Sequence, residues 1–229
     1  MVRRMAAICT ALALLTALPA WAQDITVGVK GGLSVTDLSI DDPTETPNPD
    51  PDTRSTFVGG AYADFGLGGF FSVQPEVLFS QKGAKQTEQV EGMPISLSFN
   101  LSYIEIPLLI KARFAIPESP LRPMLYVAPV VAFETKCEVE GSIDEATVTV
   151  DCEALTLDGE DMTLQTRTTD FGVAFGGGLD VMAGPVVITG DLRYTLGLTN
   201  INDTHGAEDV TIKNRAWQLF LGVGLPLGR

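Results

Sequence analysis

Seven charged residues, Lys30, Asp64, Glu76, Glu105, Lys111, Asp191 and Arg193, recur at alternate positions of otherwise apolar segments. In an extended chain alternate side chains share a face, so each of these points the same way as the small and polar residues flanking it. Three bases and four acids gathered on one face can do two things. They can pair into a fixed network that fills an interior, the expected outcome, because buried charge is normally compensated. Or they can line a narrow, gated ion path in which pairs break and re-form.

Other chemistry is sparse. The single histidine, His205, lies between Thr204 and Gly206, with Asp203 and Glu208 nearby but no serine in that stretch. A lone histidine there reads as exposed polar surface, and no nucleophile–base pair is visible, so no catalytic residue is assigned. Residues 36–55 hold Asp37, Asp41, Asp42, Glu45, Asp50 and Asp52 against Arg54 alone, and residues 134–161 are similarly acidic with only Lys136. These stretches read as solvated surface; collecting divalent cations is the alternative. Asp50, Asp52, Asp158, Glu160 and Asp161 come nearest to a cation site but lack calcium-loop spacing, so neither metal nor cofactor is expected.

The elements that must hold the seven charges are strands of period two. Ile25, Val27, Val29, Leu33 and Val35 open the series. Phe57–Phe65, Phe71–Phe79, Ile104–Phe114, Leu125–Phe133, Phe171–Val181 and Val186–Leu198 repeat the alternation, and Trp217, Leu219, Leu221, Val223, Leu225 and Leu227 close it. That makes eight rows. The last covers about eleven residues, what a tilted strand needs to cross a bilayer. The connections alternate as well. Gly66-Leu67-Gly68-Gly69, the proline-rich 115–123 and Ala183-Gly184-Pro185 are short, whereas 36–55, 82–96, 134–168 and 199–213 are long. Short turns on one rim and long loops on the other suit an outer-membrane barrel, whose closure leaves no backbone edge in lipid. Within 134–168, Thr147–Val150 alternates, and Leu155-Thr156-Leu157 leads into an Asp158-Gly159 hairpin signal with a return strand over 160–164.

The N-terminus supplies an address. Arg3 and Arg4 precede an apolar run from Met5 to Leu18, and Ala20-Trp21-Ala22 is a small-x-small cleavage site, so residues 1–22 read as a secretory signal peptide and residues 23–229 as one domain. Cys9 leaves with that segment. Cys137 and Cys152 remain, and an even pair in an exported protein is most simply a disulfide. The whole chain carries a formal net charge of −14, which repels nucleic acid.

A soluble eight-stranded barrel with its apolar row inward also fits alternation. The charges on the less apolar face and the alternating loop lengths favour lipid outside and polar residues inside.

Several segments resemble a known family. Val27-Gly28-Val29-Lys30-Gly31-Gly32-Leu33-Ser34 is similar to the first strand of the β-barrel domain of "porin family" outer-membrane proteins. Residues 72–85, with Gln74-Pro75-Glu76 and Lys82-Gly83-Ala84-Lys85, resemble its "lqPEllyskkGak" segment. Tyr103-Ile104-Glu105-Ile106-Pro107-Leu108-Leu109-Ile110-Lys111 resembles its "lnYleiPlllK" strand, and Arg193-Tyr194-Thr195-Leu196-Gly197-Leu198 its "aRYslGltni" strand. The resemblance spans nearly all of residues 23–229 and implies an eight-stranded antiparallel up-and-down transmembrane β-barrel. It implies little about activity, since the family's name outruns any demonstrated pore. One departure is the C-terminus, Leu227-Gly228-Arg229, where such barrels often end on an aromatic residue.

The expected protein is therefore a monomeric, non-enzymatic outer-membrane barrel with a structural or surface-interaction role. Its partners are outer-membrane lipid, lipopolysaccharide and the barrel-assembly machinery, with no nucleic acid. A narrow solute pore is the alternative function; a lipid-modifying barrel enzyme and a secreted soluble barrel stand further off.

Overall fold

The computed structural model describes residues 24–41, 54–90, 93–143, 146–152, 156–157, 160–161, 168–200 and 211–227. Eight long strands form the wall: β1 (Asp24–Asp41), β2 (Arg54–Gly66), β3 (Phe71–Val90), β4 (Met93–Arg113), β5 (Leu121–Ile143), β9 (Thr169–Ala183), β10 (Val186–Gly197) and β11 (Thr211–Leu227). Three short ones lie between β5 and β9: β6 (Ala146–Asp151), β7 (Thr156–Leu157) and β8 (Glu160–Asp161). Each wall strand pairs antiparallel with its neighbours in the order β4-β3-β2-β1-β11-β10-β9-β5, and β4 pairs back onto β5. The sheet is a closed eight-stranded up-and-down barrel.

Alternation explains which face is which. Val29, Leu33, Phe57, Val77, Leu125, Phe175, Leu192, Leu221 and Leu225 all point outward and stay exposed. In water so continuous an apolar surface would aggregate; in a bilayer it is the lipid contact. The inward rows are the core, and polar residues dominate it. Phe65 departs from its row: placed outward by alternation, it is buried.

Aromatic residues mark two levels of the outer face. Phe175, Tyr194 and Trp217 line up in a row of tilted rings, with centroids 5.3 and 4.8 Å apart, towards the rim of long connections. Phe70, Phe71 and Phe114 cluster at the rim of tight turns. Such girdles sit at the two membrane interfaces. The tight turns fall where glycine and proline place them, with Gly68, Gly69 and Gly184 at positive φ.

The wall is taller on one side than the sequence suggests. Residues 82–96 read as a connection, yet β3 and β4 run through them, pairing from Lys82 with Leu101 up to Val90 with Met93. In the same way β5 runs to Ile143, and β6 folds back on it from Glu138 with Asp151 to Ile143 with Ala146. These upper segments leave the apolar band, so neither face needs to be greasy and the period-two signal fades. The Cys137–Cys152 disulfide closes the β5–β6 hairpin, with Cα atoms 5.5 Å apart. Thr147–Val150 thus pairs with β5. Leu157 and Glu160 face each other in the separate β7–β8 hairpin that brackets Asp158-Gly159. The rest of the expected return strand, residues 162–164, lies outside the described residues. So do the signal segment 1–22, His205, and Asp50, Asp52 and Asp158.

Candidate functional site: the charged lumen

The lumen is built in layers, each from side chains that several strands turn inward. At mid-height β1 presents Lys30, β3 presents Gln74 and Glu76, β5 presents Tyr126, and β10 presents Asp191 and Arg193. The Lys30 ammonium lies 3.1 Å from Glu76 Oε1 and 3.0 Å from Asp191 Oδ2. Arg193 Nη2 is 2.9 Å from Glu76 Oε2, and its Nε donates to the Tyr126 hydroxyl at 3.2 Å. That hydroxyl in turn donates to Asp191 Oδ1. Phe220, fully buried on β11, supplies a ring face 4.2 Å from the Lys30 ammonium and 4.8 Å from the Arg193 guanidinium. Two cations, two carboxylates, a phenol and an aromatic face therefore close the centre of the barrel. Charge-assisted bonds and cation–π contacts are strong where water is excluded.

Below it, towards the turn rim, Asp64 gathers Lys111 Nζ at 3.0 Å, Arg113 Nη1 at 3.2 Å and the Ser72 hydroxyl at 3.2 Å. Gln74 joins the two layers: its Nε2 donates to Glu76 at 2.7 Å and its Oε1 accepts from Lys111 at 2.8 Å. Above the centre, Glu105 accepts from Lys82 and from the Ser80 hydroxyl, both at 2.7 Å. The Lys82 ammonium lies 5.0 Å from the Tyr103 ring centroid.

All seven charged residues singled out in the sequence are thus buried in the lumen, in three adjoining groups. Sequence reading missed their partners Gln74, Tyr126, Arg113 and Lys82. The signal was present: residues 72, 74, 76, 78, 80 and 82 share one parity, so Lys82 continues the inward row of β3. The apolar row ends at Phe79 because the outward positions beyond it, Gln81, Gly83 and Lys85, are not apolar.

Small residues make room for the large ones. A Cβ on Gly176 would stand 2.5 Å from the Tyr126 hydroxyl, and one on Gly28 2.6 Å from the Tyr62 ring. The inward glycines of β1, β9 and β11 are the spaces that the tyrosines occupy. Apolar groups, among them Leu109 with Ala128 and Val58 with Leu78, pack between the polar layers. An eight-stranded barrel is about filled by such side chains. The cleft at the turn rim, among Asp24, Tyr62, Arg122 and Asp180, is only about 80 Å³.

Among the described residues no group of three or more His, Cys, Asp or Glu is placed to hold a metal. Glu160 and Asp161 form β8.

A closed barrel with a lipid-ready exterior and a charge-paired interior defines an integral outer-membrane β-barrel. Comparison with known proteins gives the family: residues 21–203 match the family described as "Outer membrane protein beta-barrel domain", and the chain belongs to it. No curated protein matches by sequence. Among solved structures the chain is similar to the outer membrane protein OprG from Pseudomonas aeruginosa, at 10% identity and TM-score 0.50, covering 91% of this chain and 98% of that one. It is also similar to Neisserial surface protein A, at 12% identity and TM-score 0.46, over 87% and 96% of the two chains. A third is Ail, the attachment invasion locus protein of Yersinia pestis, at 13% identity and TM-score 0.35, over 88% and 98%. At these identities the likeness concerns the fold. The protein resides in the outer membrane.

Proposed function

We propose that this protein is a non-enzymatic barrel that does not conduct, and that its role is structural or exercised at the surface through its acidic long connections. The observation that carries this reading is Glu76, which binds Lys30 on β1 and Arg193 on β10 at once and so bridges the lumen. A solute would have to separate charges that are costly to leave unpaired away from water. In this reading the chain is exported by a cleaved signal peptide over residues 1–22 and assembled by the barrel machinery. It sits as a monomer among lipid and lipopolysaccharide, without nucleic acid or cofactor. Purified protein in planar bilayers should give no discrete conductance steps across ±100 mV, a field worth about 2.3 kcal/mol per elementary charge. Regular unitary steps at low protein density would overturn it in favour of a narrow pore.

A further inference from the structure

The outward row of β11 changes character once it passes the aromatic belt. Leu219, Leu221, Val223, Leu225 and Leu227 are exposed and apolar, Trp217 closes that run, and the next two outward positions are Arg215 and Lys213. The residues of the other parity, Asn214, Ala216, Gln218 and Phe220, are buried in the lumen, so both cations stand on the lipid side of the wall. Arg215 is exposed and Lys213 half-buried.

The belt fixes their depth. Trp217 is opposite Tyr194 and in ring contact with it, and that row marks the interface on the side of the long connections. A strand rises about 3.4 Å per residue and tilts by about 40°, so Arg215 and Lys213 stand roughly 5 and 10 Å above Trp217. The headgroup layer begins at that belt and is about 5–8 Å thick. Both side chains therefore end at the level of the headgroups.

Their surroundings leave positive charge there. The other basic side chains described turn into the lumen or its mouths, or pair at the surface, as Lys136 does with Glu138 at 2.7 Å. On the outward face Asp37 is opposite Arg215 and Ser39 opposite Lys213, while Leu196 flanks Arg215 from β10. The next acid of that row, Asp41, is opposite Thr211, a further step up. Two cations thus meet one acid at this level, on a chain whose formal net charge is −14. Cations placed over an aromatic belt attract anionic headgroups.

We infer that Lys213 and Arg215 bind the phosphate groups of an outer-leaflet glycolipid, the lipid A portion of lipopolysaccharide, with Trp217 packed beneath them. An arginine fork takes phosphate oxygens two at a time, and the lysine adds a point charge. The inference rests on the surroundings proposed above, lipopolysaccharide at the long-connection rim, and stands whether or not the barrel conducts.

Trp217 supplies the readout, because a chain beginning at Gln23 lacks Trp21 and so holds one tryptophan. Refolded in an uncharged detergent, that chain should show a saturable change in tryptophan emission on titration with bisphosphorylated lipid A. EDTA is present throughout, to remove divalent bridges between the lipid and the acidic connections. Lipid A stripped of both phosphates should bind at least about tenfold more weakly. So should the double variant Lys213→Gln with Arg215→Gln, since each basic residue near an anionic surface is worth about fivefold. Lys136→Gln should bind as the unaltered protein does. Equal binding of the phosphate-free lipid, full binding by the double variant, or no saturable change at all would overturn the inference. Phosphatidylglycerol binding as tightly as lipid A would reduce the site to a general anionic contact and overturn the assignment to lipopolysaccharide. If the double variant does not refold, as judged by gel mobility before and after boiling, Arg215→Gln takes its place, with an expected loss of about fivefold.

Discussion

At the centre of the lumen each charge has more than one partner, and this sets how it responds to substitution. Arg193 pairs with Glu76 and donates to Tyr126, while its guanidinium rests on Phe220. Removing one member of a buried pair costs about 3–5 kcal/mol, because the remaining charge stays buried without compensation. Arg193→Met should lower unfolding stability in vesicles by about 3 kcal/mol, measured by urea titration, with Lys30 retaining part of Glu76's compensation. Adding Glu76→Gln to Arg193→Met should recover some of the loss, since the orphaned charge is then gone. Recovery absent altogether would mean that packing of the long side chains, not charge, dominates there. At this scale the chain is only half legible from sequence. The seven charges are visible because each interrupts an apolar row at the inward parity. Tyr126 and Phe220 share that inward parity, but their residue types do not announce that they join a charge network. Gly176 leaves the room that Tyr126 occupies, and that contact crosses strands distant in sequence.

The strands show where alternation informs and where it stops. Inside the bilayer one face meets hydrocarbon and the other meets charge, so period two is enforced and the eight rows can be read directly. Above the bilayer both faces meet water, so the upper halves of β3, β4 and β5 carry no such signature and read as connections. Leu221 tests the embedded part: it is 70% exposed and lies one residue from Gly222, which pairs with Lys30 at mid-height. Leu221→Arg should destabilise the folded barrel by about 2–4 kcal/mol, the cost of a basic side chain at the midplane, measured by the same urea titration. A shift below about 0.5 kcal/mol, the range of ordinary surface changes, would place that face outside lipid. The projecting part is tested by its disulfide. Cys137 and Cys152 are 15 residues apart, a span whose closure is worth roughly 3 kcal/mol to local order. Reduction should alter mobility on non-reducing gels and open the β5–β6 hairpin to protease, while the barrel keeps its heat-dependent migration. Free thiols in the exported protein would contradict the bridge.

As a whole the molecule is an inverted globule: charge fills the middle and hydrocarbon-loving side chains face out between two aromatic belts. Its location follows from that arrangement. The connection lengths are legible as a pattern because turns and loops alternate, but the one-sided height of the wall depends on pairings beyond the membrane. The seam between the first and last strands has a consequence in time. β1 meets β11 along its whole length, from Ile25 opposite Leu227 to Asp41 opposite Thr211, so the ends of the domain are each other's partners. No shorter portion of the chain can complete the cylinder. Until β11 arrives, β1 and β10 each keep a bare edge, and Lys30 lacks the Phe220 face against which it rests. Assembly must therefore finish in a late, cooperative step that waits for the C-terminal strand, with the slow kinetics of contacts far apart in sequence. A chain ending before Thr211 should remain an open, aggregation-prone sheet rather than become a smaller barrel.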